Sequence, residues 1–203
     1  MSISSDGDDA VALAAEDQLR VQLLQLLATP LSAPPSAELL EALSNIGGDD
    51  TALGQALSAC GAAARDTNPE AEAEAYQDLF IGIGAGILVP FGSYYQTGFL
   101  HEKPLASLRE DMSSFGVEQD PSVKEPEDHI ASVLEMMAGL IDGRFGTEVS
   151  LERQKTFYDD HVGSWAPHFF KDLAATRQSA FYSALGALGV IFLEIETKAF
   201  EYV

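Results

Sequence analysis

Residues 125–141 read EPEDHIASVLEMMAGLI and carry the clearest fold signal in the chain. Apolar side chains recur in this stretch at intervals of three and four residues, which is typical of the buried face of an α-helix. These side chains are Ile130, Val133, Leu134, Met137 and Ile141. We expect the helix to begin at Pro126 or Glu127 and to end before Gly143. Glu127 and Asp128 would then lie in its first turn, where acidic side chains complement the helix dipole.

The same helical spacing recurs on both sides of this stretch, between Gly and Pro residues that interrupt helices. Thr29-Pro30 is expected to stop the first helix, and Asn68-Pro69-Glu70 is a strong start signal for the fourth. The expected helices cover about residues 10–27, 36–43, 49–64, 69–83, 104–115, 126–142, 147–165, 166–171 and 179–200.

The sequence contains no convincing strand. No stretch alternates apolar and polar residues for long enough, and the β-like patch at 87–89 is too short to found a sheet. We therefore predict a single all-α domain over residues 1–203, with about eight to ten helices. Frequent helix breakers argue against a simple four-helix bundle. We expect residues 1–9 to be flexible and the polar, proline-bearing stretch 117–126 to act as a hinge.

The charge is strongly one-sided, with 32 acidic against 11 basic side chains and a formal net charge of −21. Nucleic-acid binding depends on Lys and Arg that displace counterions from phosphates, and an anionic membrane surface would repel this chain. A field of this sign favours encounter with a cationic partner. The alternative is that the acidity serves solubility or a saline habitat.

The compartment is predicted from the apolar runs and the cysteine content. The longest apolar run, 79–91, has 13 residues, short of the roughly 20 that span a bilayer. The acidic N-terminus does not resemble a secretory signal. One cysteine, Cys60, cannot form an intramolecular disulfide and is expected to be a buried packing residue. These features predict a cytoplasmic protein without stable membrane insertion.

The glycine-rich stretch 82–98 is apolar and aromatic, and it reads as a buried or half-buried loop centred on Ser93-Tyr94-Tyr95. Gly82-x-Gly84-x-Gly86 does not fit a dinucleotide-binding motif, and no strand is predicted before it. The aromatic run after Pro90 could line a groove, or it could fill the core.

Asp128-His129 is the most suggestive pair for chemistry, since an Asp can orient an imidazole that changes charge near neutral pH. A hydrolytic triad also needs a poised nucleophile, and the sequence has no G-x-S-x-G elbow to supply one. The alternative is a structural role at the start of a helix. His161 and His168 lack the spacing of a zinc motif, so no metal site is predicted.

Three stretches, taken in order, resemble the TorD/DmsD/NarJ family of redox-enzyme (molybdoenzyme) maturation chaperones. The first joins Tyr76-Gln-Asp-Leu-Phe80 to Pro90-Phe91-Gly-Ser93-Tyr94-Tyr95. The second is Glu125-Pro126-Glu127-Asp128-His129 with Leu134-Glu135-Met136-Met137, which is similar to the E-P-x-D-H signature of the family. The third runs from Phe157-Tyr158-Asp159-Asp160-His161 through Trp165, Pro167 and Phe169 to Phe181-Tyr182.

The resemblance implies a non-enzymatic cytoplasmic chaperone without a cofactor, although some members bind guanine nucleotides weakly. Its partners would be the apo catalytic subunit of a molybdopterin oxidoreductase and the basic twin-arginine leader of that subunit. Holding the client would assist cofactor insertion and delay export. Both monomers and domain-swapped homodimers occur in the family.

The three matching stretches lead us to expect a peptide cleft between the glycine-rich loop and the helix near Pro126. Glu127 and Asp128 would face the arginine pair, and His129 would position Asp128 or donate to the peptide. The residues predicted for the site are Pro90, Phe91, Ser93, Tyr95, Pro126, Glu127, Asp128 and His129.

Two other classes of protein stay open on the sequence. One is a GTP-binding or GTP-hydrolysing helical enzyme that uses Asp128 and His129. The other is a structural helical subunit of a larger complex. The sequence does not identify the client or show whether the client is exported.

Overall fold

The computed structural model describes residues 13–82, 86–119, 123–146 and 149–203, and it confirms the all-α class. Within these ranges the chain forms ten α-helices and no strand. Their bounds are Ala15–Ser32 (α1), Ala37–Ser44 (α2), Ala52–Arg65 (α3), Pro69–Tyr76 (α4), Gly92–Thr97 (α5), Lys103–Ser114 (α6), Ile130–Ile141 (α7), Leu151–Tyr158 (α8), Ala166–Ala174 (α9) and Ala180–Phe200 (α10). Two π-helical turns, Gln77–Ile81 and Asp159–Gly163, continue α4 and α8.

Helix α7 lies at the centre of the fold, as its unbroken apolar pattern predicts. Ten of its twelve residues are buried, and it packs mainly against α1. On the other side of the core, α10 packs against α9 and α3, and α2 covers α3. Large aromatic side chains fill the interior, including Trp165 and Phe169.

Several helix starts follow directly from the sequence, because a polar side chain caps the first turn. The Asn68 side chain accepts a hydrogen bond from the Ala71 N–H at 3.0 Å, just before Pro69 opens α4. Ser179 caps α10 in the same way through the Tyr182 N–H, also at 3.0 Å. The start signal predicted at Asn68 is therefore confirmed, and the helix expected from residue 179 begins at Ala180.

The predicted stop of the first helix at Thr29-Pro30 is wrong, since α1 continues through Pro30 to Ser32. Proline lacks an N–H and crowds the carbonyl four residues earlier, but the structure supplies partners for two carbonyl groups of this last turn. The Tyr182 hydroxyl donates to the Pro30 carbonyl at 3.1 Å, and the Tyr76 hydroxyl donates to the Leu31 carbonyl at 3.4 Å. Burial of Pro30 and Leu31 therefore outweighs the local breaking tendency.

The predicted start of α7 at Pro126 or Glu127 is also wrong, because the helix begins at Ile130. Pro126 and His129 form a turn, in which the His129 N–H donates to the Pro126 carbonyl at 3.2 Å. His129 has an extended backbone and acts as the N-cap. Glu127 and Asp128 consequently precede the helix and do not lie in its first turn.

The stretch 82–98 is not wholly a loop, since Ser93, Tyr94 and Tyr95 belong to the short helix α5. The other parts of the stretch and of the hinge prediction are described only partly. Ile83 and Gly84 lie outside the described residues, as do residues 1–9 and the centre of the predicted hinge at 120–122.

Helix α10 is long and apolar enough to cross a membrane by length and composition alone. Half of its most apolar 18-residue window is buried inside the structure, against α9 and α3. Glu196 on the same helix is buried and paired with Arg20 of α1 at 2.9 Å. Here α10 thus makes the contacts of a core helix.

Candidate functional site

The structure brings together the two segments predicted for the site, Pro90–Tyr95 and Pro126–His129. They run antiparallel and form an isolated β-bridge between Phe91 and His129. The rings of these two residues meet edge to face, with 5.1 Å between centroids.

Two backbone hydrogen bonds fasten the segments to each other. The Gly92 N–H donates to the Asp128 carbonyl at 2.9 Å, and the Ile130 N–H donates to the Pro90 carbonyl at 2.8 Å. The second bond takes up one of the free N–H groups at the start of α7. The start of α7 and the approach to α5 are therefore fixed by each other.

Asp128 caps α5 from outside the α5 segment. Its Oδ2 accepts a hydrogen bond from the Ser93 N–H at 2.6 Å, while Phe91, the residue at the N-cap position of α5, makes no side-chain cap. Asp128 as a whole is buried, with 3% of its surface exposed. Among the described residues, its Oδ1 and the Ser93 hydroxyl are buried without a hydrogen-bond partner. Asp128 can thus accept one further hydrogen bond, and the Ser93 hydroxyl can donate one.

Glu127 is held by Arg109 of α6 in a two-pronged ion pair. The Arg109 Nε lies 2.9 Å from Glu127 Oε1, and an Nη lies 2.7 Å from Oε2. Burial opposes ionisation of Glu127, but hydrogen bonds from Arg109 outweigh it, and the pKa of the carboxyl is lowered. The Arg109 side chain is 55% exposed and that of Glu127 only 11%. The pair therefore joins a mostly exposed arginine side chain to a largely buried glutamate side chain.

His129 caps α7 with its own ring, since Nδ1 accepts a hydrogen bond from the Ala131 N–H at 3.2 Å. Burial lowers the pKa of His129 to about 4, against the opposing influence of Asp128. The imidazole is neutral near pH 7 as a result, which is the state in which Nδ1 can accept a hydrogen bond.

Tyr95 links the site to α9. Its hydroxyl donates to Asp172 Oδ2 at 3.0 Å, and its ring lies 5.6 Å from that of Trp165 and 5.9 Å from that of Phe169. Burial raises the pKa of Tyr95, with a further contribution from Asp172.

The predicted site residues of this segment differ in solvent exposure. Pro90 and Ser93 are buried, whereas Phe91 and Tyr95 are half-buried.

An exposed apolar surface next to α5 was not predicted from the sequence. Phe99 is 69% exposed and is accompanied by Tyr94 and Leu100, which are also exposed. Gly98 and His101, on either side of Phe99 and Leu100, have positive φ angles of 81° and 61°. The sequence signal that could have located this surface is the apolar pair Phe99-Leu100, which lies between Gly98 at the end of α5 and the start of α6 at Lys103.

The arrangement is suited to holding a ligand by contact. Its carboxylates and imidazole are engaged in caps and an ion pair, and half-buried aromatic rings lie beside them. Within the described ranges, no group of three or more His, Cys, Asp or Glu side chains is placed to hold a metal ion.

Comparison with known proteins shows a family match that includes both segments of the candidate site. The profile of the family described as "Nitrate reductase delta subunit" matches residues 47–171, more than half of the chain and all of the site segments. This chain belongs to that family. The resemblance to redox-enzyme maturation chaperones is therefore confirmed.

Curated relatives of this family member include proteins named chaperone protein TorD. The TorD of Aliivibrio fischeri is 30% identical over 131 residues, which are 60% of each chain. A TorD of Vibrio cholerae is 30% identical over 124 residues, covering 58% of this chain and 56% of that protein. The matched region thus spans less than two thirds of these relatives.

A redox enzyme maturation protein from Archaeoglobus fulgidus has a similar structure, with a TM-score of 0.56 and 18% sequence identity. The alignment covers 95% of this chain and 98% of that one. At this identity the likeness shows the fold, and it extends over nearly the whole chain.

Proposed function

We propose that this protein is a chaperone for a molybdopterin oxidoreductase. It would bind the apo catalytic subunit, the basic twin-arginine leader of that subunit, or both, assisting cofactor insertion and delaying export. The observation that carries the proposal is that Pro90–Tyr95 and Pro126–His129, both inside the family match, lie side by side and are joined by a β-bridge. The TorD chaperones among the relatives support the same role.

The surface chemistry supports a basic and apolar ligand. The net charge of −21 favours the approach of a peptide that carries arginines. Exposed Tyr94 of α5 and exposed Phe99 and Leu100 after it offer contacts for an apolar segment. Adjacent basic and apolar parts are what a twin-arginine leader presents.

The geometry gives the two carboxylates of the proposed site different parts. Asp128 holds the start of α5 and is buried, so we assign to it the positioning of the aromatic residues on α5. Glu127 is paired with Arg109, whose side chain is more than half exposed, so we assign to Glu127 the contact with an incoming guanidinium. We place the protein in the cytoplasm and assign it no resident cofactor.

The test is a titration of the purified protein with two synthetic peptides, one carrying Arg-Arg before an apolar segment and the other Lys-Lys. We expect the Arg-Arg peptide to bind roughly tenfold more tightly, because only a guanidinium makes two parallel hydrogen bonds to a carboxylate. Isothermal calorimetry measures the difference. Equal affinity for the two peptides would remove the carboxylates from the binding site.

A second measurement addresses the client itself. Tagged protein from anaerobically grown cells should retain a molybdopterin oxidoreductase subunit, identified by mass spectrometry. GTP turnover that persists through purification and disappears in Asp128→Asn would contradict a purely binding role.

A further inference from the structure

A groove separate from the aromatic surface of α5 lies between α6 and α7. It consists of two adjoining cavities of about 320 and 230 Å³. The cavities share Met112, Val117, Glu118, Gln119 and Glu127. The larger volume is at the lower end of the range of roughly 300–1,000 Å³ for ligand pockets, which suits one or two apolar side chains.

The floor of the groove is apolar and adaptable. Met112 of α6 and Met136 of α7 line the larger cavity together with Phe145. Unbranched, polarisable methionine side chains adjust to different apolar partners, and they are common on surfaces that accept varied peptides. The groove therefore fits an apolar side chain without requiring one particular shape.

The rim of the groove carries an excess of one negative charge. Glu118, Glu127 and Glu135 line it, against the two arginines Arg109 and Arg144. Arg109 pairs with Glu127 at 2.7 Å, and Arg144 pairs with Glu135 at 3.4 Å. An apolar floor under a rim of net negative charge complements a segment in which basic and apolar side chains are neighbours.

We propose that the α6–α7 groove seats an apolar side chain of a basic client peptide, whose guanidinium takes the place of Arg109 on Glu127. The inference rests on the proposed function and adds to it a location and an exchange of ion pairs.

The exchange follows from the unequal burial of the pair. Glu127 is nearly buried and needs a cation, whereas Arg109 is more than half exposed and can turn into solvent. One two-pronged pair would replace another, so the exchange itself changes the affinity little. The apolar side chain in the groove then supplies most of the binding, and the arginine supplies the specificity.

Filling the groove tests this directly. Ser132 is half-buried on α7 and lines the larger cavity, so Ser132→Phe places a ring inside it. Ser107 is exposed on α6 and lines neither cavity, so Ser107→Phe is the matched control. We expect the Arg-Arg peptide to bind about tenfold more weakly to Ser132→Phe and unchanged to Ser107→Phe. Thermal unfolding establishes that both variants are folded.

A charge pair provides a second measurement that does not depend on the filled cavity. Glu118→Lys reverses a charge on the rim, and Glu110→Lys makes the same change at an exposed position of α6. Since the net charge of the two variants is equal, a weaker affinity in Glu118→Lys alone supports the groove.

The exchange at Glu127 is tested by removing Arg109. Arg109→Ala should tighten peptide binding about threefold, because the side chain that competes with the peptide for Glu127 is gone.

The outcomes separate this inference from the proposed function. If the wild-type protein binds the peptide but Ser132→Phe and Ser107→Phe bind it equally, the groove is wrong and the proposed function stands. If the wild-type protein ignores the peptide but retains the client subunit, the inference is again overturned. Failure of both peptide binding and client retention overturns the proposed function as well. Weaker binding in Arg109→Ala would exclude the exchange at Glu127.

Discussion

At the scale of single residues, the burial of His129 and its role as the N-cap of α7 both require a neutral ring. Burial keeps its ring neutral, with the pKa lowered to about 4. The cap on α7 needs a lone pair on Nδ1 to accept the Ala131 N–H. A proton on that nitrogen would leave a buried charge and an uncapped helix together.

This gives a prediction for the dependence of stability on pH. The pKa of His129 is about 4 in the folded protein and has an ordinary value of 6.5. As the pH falls below about 6.5, the unfolded chain binds a proton that the folded one does not. The free energy of unfolding should therefore decrease by about 1.4 kcal/mol per pH unit from this group, or about 3 kcal/mol by pH 4. Urea unfolding between pH 4 and 7 measures it.

The control is His129→Asn, whose side-chain oxygen can accept the same hydrogen bond but does not titrate. The difference in stability between wild type and variant should shift in favour of the variant as the pH falls from 7 to 4. Parallel curves for the two proteins over this window would show that the ring is not held neutral.

At the scale of helices, Arg20 joins three elements in one partly buried network. Its guanidinium binds Glu196 of α10 at 2.9 Å, Gln154 of α8 at 3.3 Å and Asp17 of its own helix at 2.9 Å. Glu196 is 2% exposed, so it depends on this partner. The network fixes the relative positions of α1, α8 and α10.

We predict that Arg20→Ala lowers the free energy of unfolding by about 3–5 kcal/mol, because it leaves the Glu196 carboxylate buried and unpaired. The double variant Arg20→Met, Glu196→Leu should recover most of this loss, since no buried charge is left. Denaturant titration measures both.

The surface pair of Arg144 with Asp142 is the matched control, since the Arg144 side chain is 42% exposed. Arg144→Ala should cost less than about 1 kcal/mol. A similar loss in Arg20→Ala and Arg144→Ala would contradict the view that burial makes the Arg20 network important.

Helix boundaries were predictable where the deciding contacts are local. Asn68 and Pro69 set the start of α4 through neighbouring residues, and the sequence displays both. The start of α7 depends on the Pro90 carbonyl, which takes the Ile130 N–H from about forty residues away in the chain. The continuation of α1 past Pro30 likewise depends on a tyrosine of α10. Contacts of this kind are invisible to a periodicity argument.

At the scale of the whole molecule, the net charge of −21 predicts how binding should respond to salt. The association rate with the Arg-Arg peptide should fall about tenfold between roughly 0.01 M and about 0.5 M ionic strength, because ions screen long-range attraction. The dissociation rate should change less, since it reflects close contacts. Stopped-flow fluorescence resolves the two rates, and a salt-independent association rate would mean that the charge does not steer the partner.

The candidate site was predictable only in part. Resemblance to a family placed Pro90–Tyr95 beside Pro126–His129, and composition indicated a basic partner. Neither could show that Asp128 is turned inward onto the Ser93 N–H or that Glu127 already has a guanidinium. The α6–α7 groove was not predicted, since its lining comes from residues far apart in sequence.

The two caps of the site stand on consecutive residues, Asp128 for α5 and His129 for α7. One rigid peptide unit therefore spans both anchor points. A ligand that pulls the aromatic face of α5 outward would strain the first turn of the innermost helix in the same movement. Occupancy of the aromatic face of α5 would then alter the packing between α7 and α1.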